Sequence, residues 1–146
     1  MLIDRLDREM PMKRVAVVND DLTFINLVSE LLQEQGWECV TLHEGNAAFE
    51  TIKREQPDLV ILDIRMEQPD TGWRVLNLLM LDPDTRSIPV IMCSADWNEL
   101  RAKEEWMNER GVGVLPRPFD LDDLYRAVDG ALDRDFPRLV PDEREA

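Results

Sequence analysis

Apolar residues in this chain fall into short dense runs, separated by longer stretches in which they recur every three or four positions. Arg14 to Val18 is a β-branched apolar run that stops at Asn19, Asp20 and Asp21, as a buried strand with a polar carboxyl end would. Leu22, Ile25, Val28, Leu31 and Leu32 then follow at helical spacing up to Gln35, and Gly36 supplies the stop. The same alternation recurs along the rest of the chain. Cys39 to Leu42 predicts a strand and Asn46 to Glu55 a helix ended by Pro57. Leu59 to Asp63 is the most apolar strand, and a Pro/Asp/Gly loop leads from it to a helix from about Trp73 to Leu81. Pro89 to Ser94 predicts the fourth strand and Asn98 to Arg110 the fourth helix. Gly113 to Leu115 is a short fifth strand, and Asp120 caps a last helix carrying Leu121, Leu124, Tyr125, Val128 and Leu132.

Strands that are apolar throughout, each followed by a helix, predict a parallel sheet covered on both faces. Right-handed crossovers leave few topologies, and the expected one is an α/β, doubly wound, flavodoxin-like (βα)5 sandwich of three layers with strand order 2-1-3-4-5. Ligands in such sheets bind beyond the carboxyl ends of the strands, near the point where strand order reverses.

Composition narrows the picture. At 146 residues the chain supports one hydrophobic core. We expect an N-terminal extension over 1–12, a domain over 13–134 and an acidic tail over 135–146. With 31 Asp and Glu against 17 Lys and Arg the net charge is −14, which argues against direct nucleic-acid binding or an anionic membrane surface. The 44% apolar content is too high for a disordered acidic polymer. No apolar run is long enough to span a membrane, and Met1 to Pro11 lacks the apolar core of an export signal, so a cytoplasmic location is expected. Cys39 and Cys93 lie in apolar segments and read as two buried reduced thiols. His43 reads as a solvated loop residue, and one His with two distant Cys makes no zinc site.

The residues just past the strands give the candidate chemistry. Strand 1 ends in Asn19 and Asp20, strand 3 in Asp63, strand 4 in Ser94, and strand 5 leads to Arg117. Strands 1 and 3 are neighbours in the expected order, so Asp20 and Asp63 should converge and repel unless a cation intervenes. Mg2+ suits such a site, because it takes oxygen ligands and needs only one or two carboxylates.

This arrangement resembles the receiver domain of two-component response regulators, over roughly Arg14 to Leu132. Val17-Val18-Asn19-Asp20-Asp21 is similar to the acidic pair after strand 1, and Pro57-Asp58-Leu59-Val60-Ile61-Leu62-Asp63 to the segment carrying the phosphoacceptor aspartate. Pro89 to Ala95 is similar to the strand with the family's Ser/Thr, and Pro116-Arg117-Pro118-Phe119 stands where Lys-Pro-Phe is usual. The resemblance implies that Asp63 takes a phosphoryl group from a histidine kinase or phosphotransfer protein. It also implies Mg2+ held by Asp20, Asp63 and the backbone carbonyl of Arg65, with Asn19 acting through a water. Ser94 would bond a phosphoryl oxygen, and Arg117 would supply the fixed cation. The implied protein is a signalling switch rather than an enzyme, with a downstream protein effector; a homodimer through the fourth helix, fifth strand and last helix is one option.

Four positions depart from the family pattern. Asn19 replaces an acid, which weakens Mg2+ binding, and Arg117 replaces the usual Lys by a planar fork on a longer arm. The loop Ile64 to Gly72 carries about one extra residue beside the metal site, with Glu67 adding an acid. Val114 stands where an aromatic usually swings on activation, and a valine has no such motion. These departures keep an alternative open, a pseudo-receiver that serves as an interaction module without phosphorylation. An Asp-nucleophile phosphatase is disfavoured because Arg65 occupies the place of its second acid, and a nucleotide binder because no Gly-rich loop follows strand 1. Asp20 and Asp21 could both cap the first helix, although Asp20 is expected deeper and at the metal. Ser94 could cap the following turn, Arg117 could be a surface ion-pair partner, and Trp97 and Trp106 read equally as local packing or as a protein-binding anchor. The stretch after Leu132 is shorter than an output domain of about 50 or more, so the output is expected from a partner protein.

Overall fold

The computed structural model describes residues 12–133. The expected acidic tail lies outside that range, as does the N-terminal extension apart from Met12. Five parallel strands form one sheet in the order 2-1-3-4-5. They are β1 (Arg14–Val18), β2 (Glu38–Leu42), β3 (Leu59–Leu62), β4 (Val90–Ser94) and β5 (Gly113–Pro116). The helices are α1 (Leu22–Glu34), α2 (Ala48–Glu55), α3 (Thr71–Leu81), α4 (Trp97–Ala102), α5 (Glu104–Glu109) and α6 (Leu121–Leu132). No described helix is long and apolar enough to cross a membrane.

Two apolar layers sandwich the sheet. On one face Val15, Val17, Ile61 and Cys93 pack under α1 and α6 through Ile25, Val28, Leu32, Leu124 and Val128. On the other, Ala16, Val60, Leu62 and Met92 pack under α2 to α5 through Ile52, Leu76, Leu79, Leu100 and Met107. Alternate residues of one strand thus serve opposite layers, which explains why β1, β3 and β4 are apolar at nearly every position. β2 is the exception: as an edge strand it leaves Glu38 and Thr41 exposed and Cys39 half-buried, so only Cys93 is the buried thiol expected of both.

Three helix boundaries differ from the periodicity. α3 starts at Thr71, two residues ahead of Trp73, because Gly72 lies in its first turn and lets the helix touch the backbone at the end of β3. A Cβ there would collide with the Asp63 carbonyl oxygen and stand 2.6 Å from the Ile64 Cα. α2 starts at Ala48, since the turn before it is held from outside by Glu67, whose carboxylate accepts the N–H groups of Gly45 (3.1 Å) and Asn46 (3.2 Å). The expected fourth helix is two short helices that meet at Lys103. Its apolar anchors, Leu100 and Met107, lie on either side of that point. Between them Lys103 places its ammonium over the rings of Trp73 (5.4 Å) and Trp106 (5.7 Å).

Candidate functional site

Backbone pairing continues one residue beyond the strands and sets the site's frame. The Asn19 N–H donates to the Leu42 carbonyl (3.0 Å) and the Asp63 N–H to the Val18 carbonyl (3.1 Å), which draws the ends of β2, β1 and β3 level. On the other side, the Arg117 N–H donates to the Ser94 carbonyl (2.9 Å) and ties the chain after β5 to β4. Asp63, Ser94 and Arg117 line an open depression at this carboxyl edge, together with Arg65, Asp96 and Trp97.

Asp63 is half-buried, and its Oδ1 accepts the Ile64 N–H at 2.8 Å. Burial pushes its carboxyl up to about 6; the Ile64 N–H and the Arg117 guanidinium oppose that rise, while Asp20 adds to it. Asp20 thus lies close enough to add a small upward push on the Asp63 carboxyl, well behind burial. Depth is distributed differently from the expectation, however. Asn19 is the buried member of its pair, 1% exposed, and its Oδ1 accepts the Asp21 N–H at 2.8 Å, whereas Asp20 is exposed at the rim. Asp21 caps α1, accepting the N–H groups of Thr23 (3.0 Å) and Phe24 (3.2 Å).

Ser94 is buried, and its Oγ accepts the Asp96 N–H at 3.0 Å, so the hydroxyl shapes the turn while facing the depression. Arg117 is half-buried with its guanidinium 4.5 Å above the Phe24 ring, which in turn meets Phe119 edge-on at 6.2 Å. That stack holds the Arg117 loop against α1. Arg65 is exposed and reaches across the mouth to Asp96, its Nη2 and Nε lying 2.7 and 3.2 Å from Asp96 Oδ2. Asp96 escaped the sequence reading, although Ser94-Ala95-Asp96 ahead of a helix is an N-cap signal. Its Oδ1 accepts the Glu99 N–H at 3.0 Å.

Other candidates separate from the site. Glu67, expected to add an acid beside the site, directs its carboxylate to the turn before α2 instead. Val114 packs half-buried against the layer under α2 to α5. Trp106 is local packing: it meets Trp73 edge-on at 6.1 Å under the Arg110 guanidinium at 4.4 Å. Trp97 is 51% exposed, with its indole N–H donating to the Arg117 carbonyl at 3.2 Å. His43 is an exposed loop residue, as expected.

The family model described as response regulator receiver domain matches residues 15–129. Transcriptional regulatory protein GlrR of Escherichia coli (strain K12) is 31% identical over 131 residues, covering 89% of this chain and 28% of that protein. The chain spans about half or less of the length of the curated relatives it matches. A putative response regulator from Chloroflexus aurantiacus J-10-fl superposes with a TM-score of 0.74 at 26% identity, covering 84% of this chain and 99% of that one. The receiver domain of sensor histidine kinase PA1611 from Pseudomonas aeruginosa PAO1 superposes with a TM-score of 0.72 at 19% identity, over 84% and 99% of the two chains; its structure has a magnesium ion coordinated in the active-site cleft.

Proposed function

Because the chain belongs to the response regulator receiver family over residues 15–129, we propose that Asp63 accepts a phosphoryl group from a phosphohistidine on a partner histidine kinase or phosphotransfer protein. The observation that supports this most is the placement of Asp63: a half-buried carboxylate at the end of a buried strand, lining one depression with Ser94 and Arg117. With its carboxyl at about 6, Asp63 is ionised at neutral pH and needs no general base. One carboxylate oxygen attacks phosphorus, a P–O bond forms, the P–N bond to the donor imidazole breaks, and its electron pair leaves with the ring nitrogen.

Asp20, Asp63 and the backbone carbonyl of Arg65 would hold Mg2+, with Asn19 contributing through a water. The donor set fits the ion: all ligands are oxygen, and the two acids repel each other in its absence. Bound there, Mg2+ supplies positive charge against the phosphoryl oxygens. Arg117 neutralises the same oxygens from the β5 side, and the Ser94 hydroxyl donates to one of them once it turns from the Asp96 N–H. The chain then acts as a cytoplasmic switch that signals through a downstream protein effector and turns over no substrate of its own.

Incubation with Mg2+ and acetyl phosphate, followed by intact mass, tests the reading. One phosphoryl adduct in the wild type and none in Asp63→Asn is the expected result. An unlabelled wild type, under conditions that label another receiver, overturns it.

A further inference from the structure

Arg65 and Asp96 bridge the mouth of the depression through a single carboxylate oxygen. The guanidinium directs two donors, Nη2 at 2.7 Å and Nε at 3.2 Å, at one oxygen, Asp96 Oδ2, while Oδ1 is committed to the Glu99 N–H at 3.0 Å. A guanidinium is better matched by two acceptor oxygens than by one. The pair is also open to water, with side chains 61% and 21% exposed, and such pairs are weakly held. Arg65 lies two residues from Asp63 and lines the same depression. The other cation there, Arg117, is stacked on Phe24 at the α1 side. Arg65 is therefore the cation on the α4 side.

We propose that the Arg65 side chain is a phosphoryl ligand, and that phosphorylation of Asp63 draws it off Asp96 and so reports to α4. This rests on Asp63 being the acceptor. An aspartyl phosphate carries about −1.5 to −2 charge in place of the −1 of the carboxylate and presents three acceptor oxygens to the fork, which outcompetes a single carboxylate oxygen. Asp96 then loses its cation. Its carboxylate caps α4 and its N–H bonds the Ser94 Oγ, so the whole turn from β4 into α4 senses the exchange. This route does not need a swinging aromatic, which Val114 cannot provide.

The full chain, 15N-labelled, can be followed by NMR with Mg2+ and acetyl phosphate while intact mass tracks labelling. The phosphoryl group moves to an Asp63 oxygen as the acetyl P–O bond breaks and acetate leaves with the electron pair. In the wild type, the Arg65 Nε–H and the amides of Asp96 and Glu99 should shift on labelling. Arg65→Gln should still label, about tenfold more slowly, without the Asp96 and Glu99 shifts. Asp96→Asn keeps a good N-cap for α4 while removing the competing charge, and should label at least as fast as wild type. A labelled wild type with an unmoved Arg65 Nε–H, an Arg65→Gln chain with wild-type amide shifts, or a slower Asp96→Asn overturns the exchange while leaving Asp63 as acceptor. No adduct in the wild type, or an equal one in Asp63→Asn, overturns both.

Discussion

Burial holds the Asp63 carboxyl at about 6, so the fold favours its protonated form. The stabilisation this brings is fully present below the ordinary carboxylate range and is lost as pH rises through about 6, leaving an ionised group that destabilises the metal-free protein at neutral pH. Asp63→Asn removes that liability. It should raise metal-free stability at pH 7.5 by about 1–3 kcal/mol, with the gain vanishing near pH 4, as read by urea unfolding at both pH values. Added Mg2+ should narrow the difference, because it binds the wild type in preference. Asn19 gives the converse experiment. It is 1% exposed beside two acids, so Asn19→Asp should cost the metal-free protein about 1–3 kcal/mol while tightening Mg2+ binding about tenfold, measured by calorimetry.

Entry into α3 depends on a contact that admits no side chain. Gly72 donates its N–H to the Ile64 carbonyl at 2.7 Å, and a Cβ there would strike the Asp63 carbonyl. Gly72→Ala should therefore lose about 2–4 kcal/mol by urea unfolding and disturb the acceptor strand end directly, well beyond an ordinary surface change. This contact also marks where the sequence stopped being legible. Strand order, the two helix-covered faces and the caps Asp21 and Asp120 follow from apolar period and local chemistry, which a one-dimensional reading contains. Asp20, Asp63, Ser94 and Arg117 were locatable because strand ends in this topology share an edge. The start of α3, the turn before α2 and the Arg65–Asp96 bridge depend on atoms brought together across loops, Glu67 onto Gly45 and Asn46 among them. Gly72 and Ile64 are 8 residues apart, Glu67 and Gly45 are 22 apart and Arg65 and Asp96 are 31 apart, and no local period encodes these pairs. The depth order of Asn19 and Asp20 was misjudged for a related reason: the Asn19 N–H stays in register with β2, which keeps that residue inside and turns the next one out.

Across the molecule, a net charge of −14 works against compactness. Sodium chloride from 0.02 to about 0.2 M screens exposed charges beyond a Debye length and should raise the melting temperature of the metal-free protein. A fall would show that attractive pairs such as Arg14–Glu55 (2.8 Å) and Lys53–Asp82 (2.9 Å) outweigh the repulsion. The four tryptophans divide unevenly over this acidic body. Trp37 rests edge-on against Tyr125 at 6.5 Å, and Trp73 and Trp106 lean on each other within the core side of α3 and α5. Trp97 stands apart at the rim of the acceptor depression, half open to water and tethered to the backbone of Arg117. Its emission should respond to an anion or metal arriving beside Asp63, while Trp73, whose indole N–H donates to Glu99 Oε2 at 2.9 Å, senses only what reaches α4. The chain thus carries its own optical probe, and Trp97→Phe should remove most of the titration signal with the adduct mass unchanged.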